Sequence, residues 1–193
     1  MSSASQTCHQ SGVDVRPAFP SDACAIAAVH ADSILATYPH LPITCRAVET
    51  GRSAREALWA SRLREPGSGR STVVAADGDQ VCGFVYFGPS PDPDDDPETV
   101  GHVLSIHVSS NLTGRGVGTR LMKAAIAGFV AEARNAVTLW VVADNDGARR
   151  FYERLSWRRD GVIQREILAV GDGEGDLVEV VRYRRDLDSG NYI

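Results

Sequence analysis

Between Val100 and Ala133 a β-rich stretch, a glycine turn and a helical stripe follow in direct succession, and no other feature limits the fold as much. Val100 to Val108 reads as a strand. Gly114 to Gly118 is a glycine-rich turn, and from Thr119 to Ala133 the residues Leu121, Met122, Ala125, Ile126, Phe129 and Val130 share one helical face. Glycines where a strand hands over to a helix let a ligand approach backbone N–H groups at the positive end of the helix dipole, which suits a phosphate. The G-x-G-x-x-G dinucleotide pattern fails at Thr119 and no Gly-Lys-Ser/Thr follows, so those two nucleotide classes are disfavoured. The plainer alternative is a tight turn that uses glycine for geometry alone.

The flanking elements alternate. Val13 to Arg16 has strand character and stops at Pro17, and Ser21-Asp22 can cap a helix that buries Ala25, Ile26 and Val29. A loop punctuated by Pro39 and Pro42 separates this helix from a second one, roughly Ser53 to Leu63. Thr72 to Ala76 and Val81 to Phe87 flank an Asp77-Gly78 step, which predicts a hairpin. Asp92, Asp94, Asp95, Asp96 and Glu98 lie among prolines, so Pro89 to Pro97 is predicted to be an acidic loop outside the sheet. Val137 to Ala143 is a nearly continuous apolar strand, followed by a short helix around Gly147 to Leu155 behind the potential caps Asp144 and Asn145. Val162 to Val170 and Leu177 to Arg184 form a last hairpin across Gly171 to Asp176. The order implies a single α/β (α+β) domain over residues 13–187, with a mixed, mostly antiparallel sheet of about seven strands and helices on both faces. Residues 1–12 and 188–193 read as tails.

A length of 193 residues fits one domain. With 20 Lys and Arg against 25 Asp and Glu the net charge is −5, the wrong sign for clamping nucleic acid. No apolar run approaches the roughly 18 residues that cross a bilayer and the N-terminus has no apolar signal region, so a cytoplasmic protein without a membrane partner is expected. Cys8, Cys24, Cys45 and Cys82 are irregularly spaced, which predicts free thiols and no metal site.

Thr113-x-x-Gly116-x-Gly118 resembles the pyrophosphate loop, Gln/Arg-x-x-Gly-x-Gly/Ala, of the GNAT superfamily of N-acetyltransferases. Gly101 to Val108 looks like the fourth strand of that family, and Leu121-Met122 stands where its central helix carries a paired apolar step. Leu139 to Asn145 and Ala148 to Leu155 resemble the fifth strand with its Asn and the Tyr-bearing helix. The resemblance is motif-level from Gly101 to Trp157; upstream it rests on element order. Thr113 replaces the usual Gln or Arg, Ser156-Trp157 replaces Gly-Phe, and His102 stands where a Glu is frequent.

The resemblance implies acetyl-CoA as co-substrate, no metal, and direct transfer of acetyl to a primary amine, small or peptidic. Ile106, His107 and Val108 would offer backbone to the pantetheine arm, with the Val108 N–H on the thioester carbonyl. Amides from Thr113, Gly114, Arg115, Gly116, Val117, Gly118 and Thr119 would cradle the pyrophosphate. Arg115 and Arg120 either add charge there or are ordinary surface residues. Tyr152 is implied as the acid that protonates the leaving thiolate. Asn145 is implied as a cofactor contact, with helix capping as the alternative. For the base, His102 comes first by position. Glu98 shares its face if the strand runs straight, His107 competes if a β-bulge shifts the parity, any of them acts directly or through water, and the amine arriving already deprotonated needs none of them. By the resemblance Tyr38 and Trp59 fall in the helical region that lines acceptor sites, but they read as cap or core and neither is assigned to the substrate. The acidic loop either steers a cationic amine or is simply solvated. A homodimer is in keeping with the family, and a non-catalytic acyl-CoA-binding module is the alternative to an enzyme.

Overall fold

Seven segments pair into one sheet: β1 (Asp14–Pro17), β2 (Ser71–Asp77), β3 (Gln80–Pro89), β4 (Val100–Val108), β5 (Ala136–Val142), β6 (Arg158–Ala169) and β7 (Gly175–Asp186). Their order is β1-β2-β3-β4-β5-β7-β6, antiparallel throughout except for β4 against β5. The computed structural model describes residues 12–67, 69–169 and 175–187. Nearly all of the expected N-terminal tail, the C-terminal tail and most of the final hairpin turn lie outside the described residues. The Asp77-Gly78 hairpin is present, with Asp77 opposite Gln80 and Gly78 in the left-handed region at φ +58°.

Side chains alternate across the sheet and build a core on each face. Val85, Phe87, Val103, Val137 and Leu139 pack against Leu121, Met122, Ala125 and Phe129 of α4 (Val117–Ala131) and against Tyr152 of α5 (Asp146–Arg154). Val74, Phe84 and Tyr86 pack on the other face against Ile26 and Ala27 of α1 (Ala23–Thr37) and Trp59 of α3 (Arg52–Arg64). Gly101 faces α4 at a point where a Cβ would stand 2.4 Å from the Phe129 ring, so the strand is seated tightly on the helix. Among the described residues no helix is long and apolar enough to cross a membrane, no group of three or more metal-ligating side chains is gathered, and Cys24, Cys45 and Cys82 are free thiols.

The N-terminal half differs from the expected pair of helices. The segment expected to be a loop is mostly α2 (Pro42–Thr50), so three helices precede β2. Pro42 is tolerated because it occupies the first turn, where its missing N–H has no intrahelical partner to lose. The next two amides, of Ile43 and Thr44, donate to Asp176 Oδ2 at 3.0 and 2.9 Å, and the Thr44 hydroxyl donates to Leu168 O at 3.1 Å. This cap comes from the far end of the chain and is invisible to local reading. Asp22 departs from its expected role too. Its carboxylate accepts the Phe19 amide and pairs with Arg16 at 2.7 Å, leaving the first turn of α1 without a side-chain cap.

Candidate active site

β4 and β5 pair only from Val100–Val103 to Ala136–Leu139 and then part. In β4 the register with β3 slips between Phe87↔Val103 and Tyr86↔Ser105, so Leu104 is an extra residue and the strand bends away there. The bonding phase beyond the bulge follows from one contact, Ser109 N donating to Cys82 O at 2.9 Å. Antiparallel pairs exchange bonds at every second residue, so Ser105 and His107 are engaged with β3. Ile106 and Val108 therefore turn their N–H and C=O groups into the gap, where no described strand meets them. The same logic on β5, from Ala143 N donating to Glu179 O at 2.8 Å, turns Trp140 and Val142 into the gap from the other side. An extended, amide-bearing chain can bond there as a strand would.

The gap opens at one end onto the first turn of α4. Gly114 and Gly116 hold left-handed φ values of +80° and +81°, and a Cβ on either would meet nothing within 4 Å, so glycine is needed for backbone conformation rather than for space. Arg120 N donating to Gly116 O is the first bond of the helix, and the first turn has no side-chain cap. The amides of Val117, Gly118 and Thr119 consequently lack intrahelical partners and suit an anion. Thr113, Gly114, Gly116, Gly118 and Thr119 line the cleft, whereas the Val117 side chain is buried in the core and contributes only its amide. Arg115 is exposed and does not line the cleft, and Arg120 is committed to Val13 O.

Asn145 is the N-cap of α5, accepting from Ala148 N at 3.0 Å, and its Nδ2 donates to the Tyr38 hydroxyl at 2.8 Å. One side chain thus ties α5 to the end of α1. Tyr152 lines the cleft, only 7% exposed, packed against Phe151, Trp157 and Tyr183, and its hydroxyl has no hydrogen-bond partner among the described residues. Burial pushes its pKa well up, so it is a phenol throughout the neutral range. Trp59 is core, fully buried, but Tyr38 lines the cleft as well as closing α1. Sequence reading favours the cap for Tyr38 over a place in the cleft, because only the fold brings it beside Asn145.

Of the three candidate bases the structure brings one to the cleft. His107 lines it, with Nδ1 3.0 Å from Ser33 Oγ, its ring stacked on Phe84 and 4.6 Å from that of His30. His102 is buried under the acidic loop, Nδ1 2.8 Å from Thr138 Oγ1, and does not line the cleft. Glu98 is exposed in the turn before β4 and also stands outside it. The bulge at Leu104 brings His107 to the face of α1, while His102 stays out of the cleft because it lies where β4 and β5 are still paired. Without the bulge, residues 102 and 107 would face opposite sides of the sheet. The loop carboxylates are largely committed: Asp92 and Asp94 to Arg182, Asp95 to Arg184, with Asp92 also accepting the Trp140 Nε1–H. Asp96 turns onto its own loop, accepting from the Glu98 amide at 2.9 Å.

Burial pushes His102 and His107 each down to about 4 and lowers His30 as well. The unfolded value is about 6.5, so between the two the unfolded chain holds protons that the folded chain refuses. Stability is therefore expected to fall as the pH drops from about 6.5 towards 4. Urea unfolding at about pH 7 and about pH 5 measures this, and coincident midpoints would show that the rings titrate normally in the fold.

Together these elements enclose a cleft of about 1170 Å³ running from the α4 turn, past the parted strands, to the face of α1 and α3. The family model for the acetyltransferase (GNAT) family matches residues 35–157. An uncharacterized N-acetyltransferase of Methanocaldococcus jannaschii is 37% identical over 65 residues, 34% of this chain and 29% of that protein. A mycothiol acetyltransferase of Geodermatophilus obscurus is 32% identical over 89 residues, 46% of this chain and 29% of that protein. The aligned part is thus under a third of the length of either relative. Among solved structures, the PaiA N-acetyltransferase of Thermoplasma acidophilum in complex with coenzyme A superposes with a TM-score of 0.70 at 14% identity, covering 91% of this chain and 99% of that one. An acetyltransferase of Salmonella typhimurium with its cofactor acetyl-CoA gives 0.66 at 18% identity, over 92% and 95%. The family match over more than half of the chain, on a fold these structures share, shows that the chain belongs to the acetyltransferase (GNAT) family.

Proposed function

We propose that the protein is an acetyl-CoA-dependent N-acetyltransferase that passes acetyl directly to a primary amine. The observation that carries this is the gap between β4 and β5, edged by backbone amides that no described strand meets, which runs from an anion-suited helix turn to a tyrosine hydroxyl with no hydrogen-bond partner among the described residues. The residues present fit the co-substrate in kind. Amides of Val117, Gly118 and Thr119 suit a pyrophosphate, and the backbone of Ile106 and Val108 suits the amide-bearing pantetheine arm. The Val108 N–H is placed to polarise a carbonyl lying against the strand.

The amine enters from the face of α1 and α3 as a free base, having lost its ammonium proton. Its lone pair forms the new C–N bond, the C–S bond breaks, and Tyr152 passes its proton to sulfur. The surplus proton of the new amide leaves by way of His107 or water and restores the phenol. His107 takes this role in preference to His102 and Glu98 because it alone of the three lines the cleft. In the tautomer that donates Nδ1–H to Ser33 Oγ, its Nε2 lone pair is free to accept.

The test begins with thermal unfolding in the presence of acetyl-CoA, ATP or NADH. Acetyl-CoA at about 100 times its Kd is expected to add about 2.7 kcal/mol, with ATP and NADH adding little. A primary amine should then release free CoA thiol from the complex. Equal shifts with all three ligands would remove the acetyl-CoA reading. Stabilisation by acetyl-CoA without thiol release from any amine would leave a non-catalytic acyl-CoA-binding module.

A further inference from the structure

The first turn of α4 and Tyr152 occupy one end of the cleft, so the acceptor must stand on the wall built by α1, α3 and the β3–β4 pair. Beside that wall two arginines meet on one aromatic ring, Arg62 lining the cleft and Arg70 standing behind it. Arg62 of α3 places its guanidinium carbon 5.0 Å from the ring centres of both Trp59 and Tyr86. Arg70, just ahead of β2, stands 5.7 Å from the same Tyr86 ring. Tyr86 is itself fixed, 6% exposed, edge-on to Trp59 and opposite Ser105 at the β4 bulge. Arg62 lines the same cleft as Ser105 and Ile106.

Among the described residues neither guanidinium is within salt-bridge distance of a carboxylate, and neither donates a side-chain hydrogen bond. Unpaired arginines are ordinary on an open surface, but these two are partly buried. The contrast lies close at hand, since Arg182 and Arg184, on the same side of the sheet, are both paired with carboxylates of the acidic loop. Burial lowers the pKa of Arg62 and the charge of Arg70 lowers it further, so the pair is held against both desolvation and mutual repulsion. Cation–π contact with Tyr86 and Trp59 offsets part of that cost. What the arrangement lacks is an anion, and a guanidinium fork matches a carboxylate in plane and spacing. Glu166 of β6 is the one carboxylate among the described lining residues, which makes the cleft dipolar. Arg55 and Arg154 line the cleft as well, so its described lining carries three arginines against one carboxylate and favours an anion.

We infer that the acceptor is a small amine that also carries a carboxylate, with Arg62 as its recognition residue, supported by Arg70 on the shared ring of Tyr86. The inference rests on the N-acetyltransferase reading and narrows it to zwitterionic amines.

The experiment measures CoA thiol release from acetyl-CoA with the common L-amino acids, glycine, β-alanine, 4-aminobutyrate and 6-aminohexanoate, each beside its carboxamide. O-phosphoethanolamine, tyramine and spermidine complete the panel. At least one free acid is expected to exceed its carboxamide in kcat/KM by tenfold or more. Arg62→Gln should lower kcat/KM for that acid by roughly 10- to 100-fold and for the carboxamide much less, collapsing the ratio towards one. Arg70→Gln should lower the ratio by a smaller factor, and the acetyl-CoA KM should move in neither variant. Carboxamides, tyramine or spermidine matching or exceeding every acid would overturn the inference while leaving an acetyltransferase in place. A preference for O-phosphoethanolamine would replace the carboxylate by a phosphate. An unchanged acid-to-carboxamide ratio in folded Arg62→Gln would remove Arg62 from recognition. Thiol release that no amine raises above the amine-free rate would overturn the transferase reading and this inference with it.

Discussion

Tyr152→Phe is expected to lower kcat by about 100-fold while leaving the KM for acetyl-CoA within about twofold, since a positioned general acid contributes roughly 10²- to 10⁴-fold. The substitution removes one oxygen and little else. The ring stays wedged among Phe151, Trp157 and Tyr183, and because the hydroxyl has no partner among the described residues, no buried group is orphaned by its loss. Tm should move by no more than a degree or two, so a fall in kcat reads chemistry rather than folding. With its pKa pushed up, the phenol holds its proton through the neutral and mildly alkaline range, and the alkaline limb of kcat should not report its loss below about pH 10. An unchanged kcat at saturating substrates would exclude Tyr152 as the acid and make it a packing residue alone. Asn145 stands in a different position, for its side chain already caps α5 and holds Tyr38, so replacing it should cost stability together with activity.

How far the sequence reaches is set by how local each signal is. The α4 turn was legible because glycines at 114 and 116 answer a backbone demand that only their own φ angles express. The seven-strand sheet and the helices on both faces were legible because apolar periodicity survives in any tertiary context. α2 was not, since Pro42 reads as a breaker until Asp176 supplies the amide acceptor. That His107 lines the cleft turns on a single extra residue at Leu104, and a bulge is settled by pairing with β3, not by the strand itself. The acidic run was read correctly as a loop, yet its charges could not be assigned without knowing that Arg182 and Arg184 lie beneath it. Arg62 and Arg70 carried no sequence signal at all. Their meaning comes from converging on Tyr86.

Arg182→Met is expected to destabilise the fold by about 3 kcal/mol at neutral pH, a fall in Tm of roughly 6–12 °C, because removing one partner from a buried ionic cluster strands the others. Arg182 is 5% exposed and reaches Asp160 at 2.6 Å, Asp94 through two bonds of 2.7 and 2.8 Å, and Asp92 at 3.2 Å, with Trp140 against its face. Asp92 and Asp160 are themselves largely buried. The effect should reach the cleft, since Trp140 lines it and its indole N–H is anchored to Asp92. The pH dependence separates charge from packing. Bonding to Arg182 holds the Asp94 carboxyl below its usual range, so the wild-type cluster contributes stability above about pH 4 that is lost as the pH falls further. In Arg182→Met the stranded carboxylates shift the other way and are relieved by protonation. The gap between wild type and variant should therefore shrink as the pH falls towards 4. Urea unfolding of both proteins across that range gives the answer. A gap that stays constant would place the loss in the packing of the arginine stem against Trp140 and not in the ion cluster.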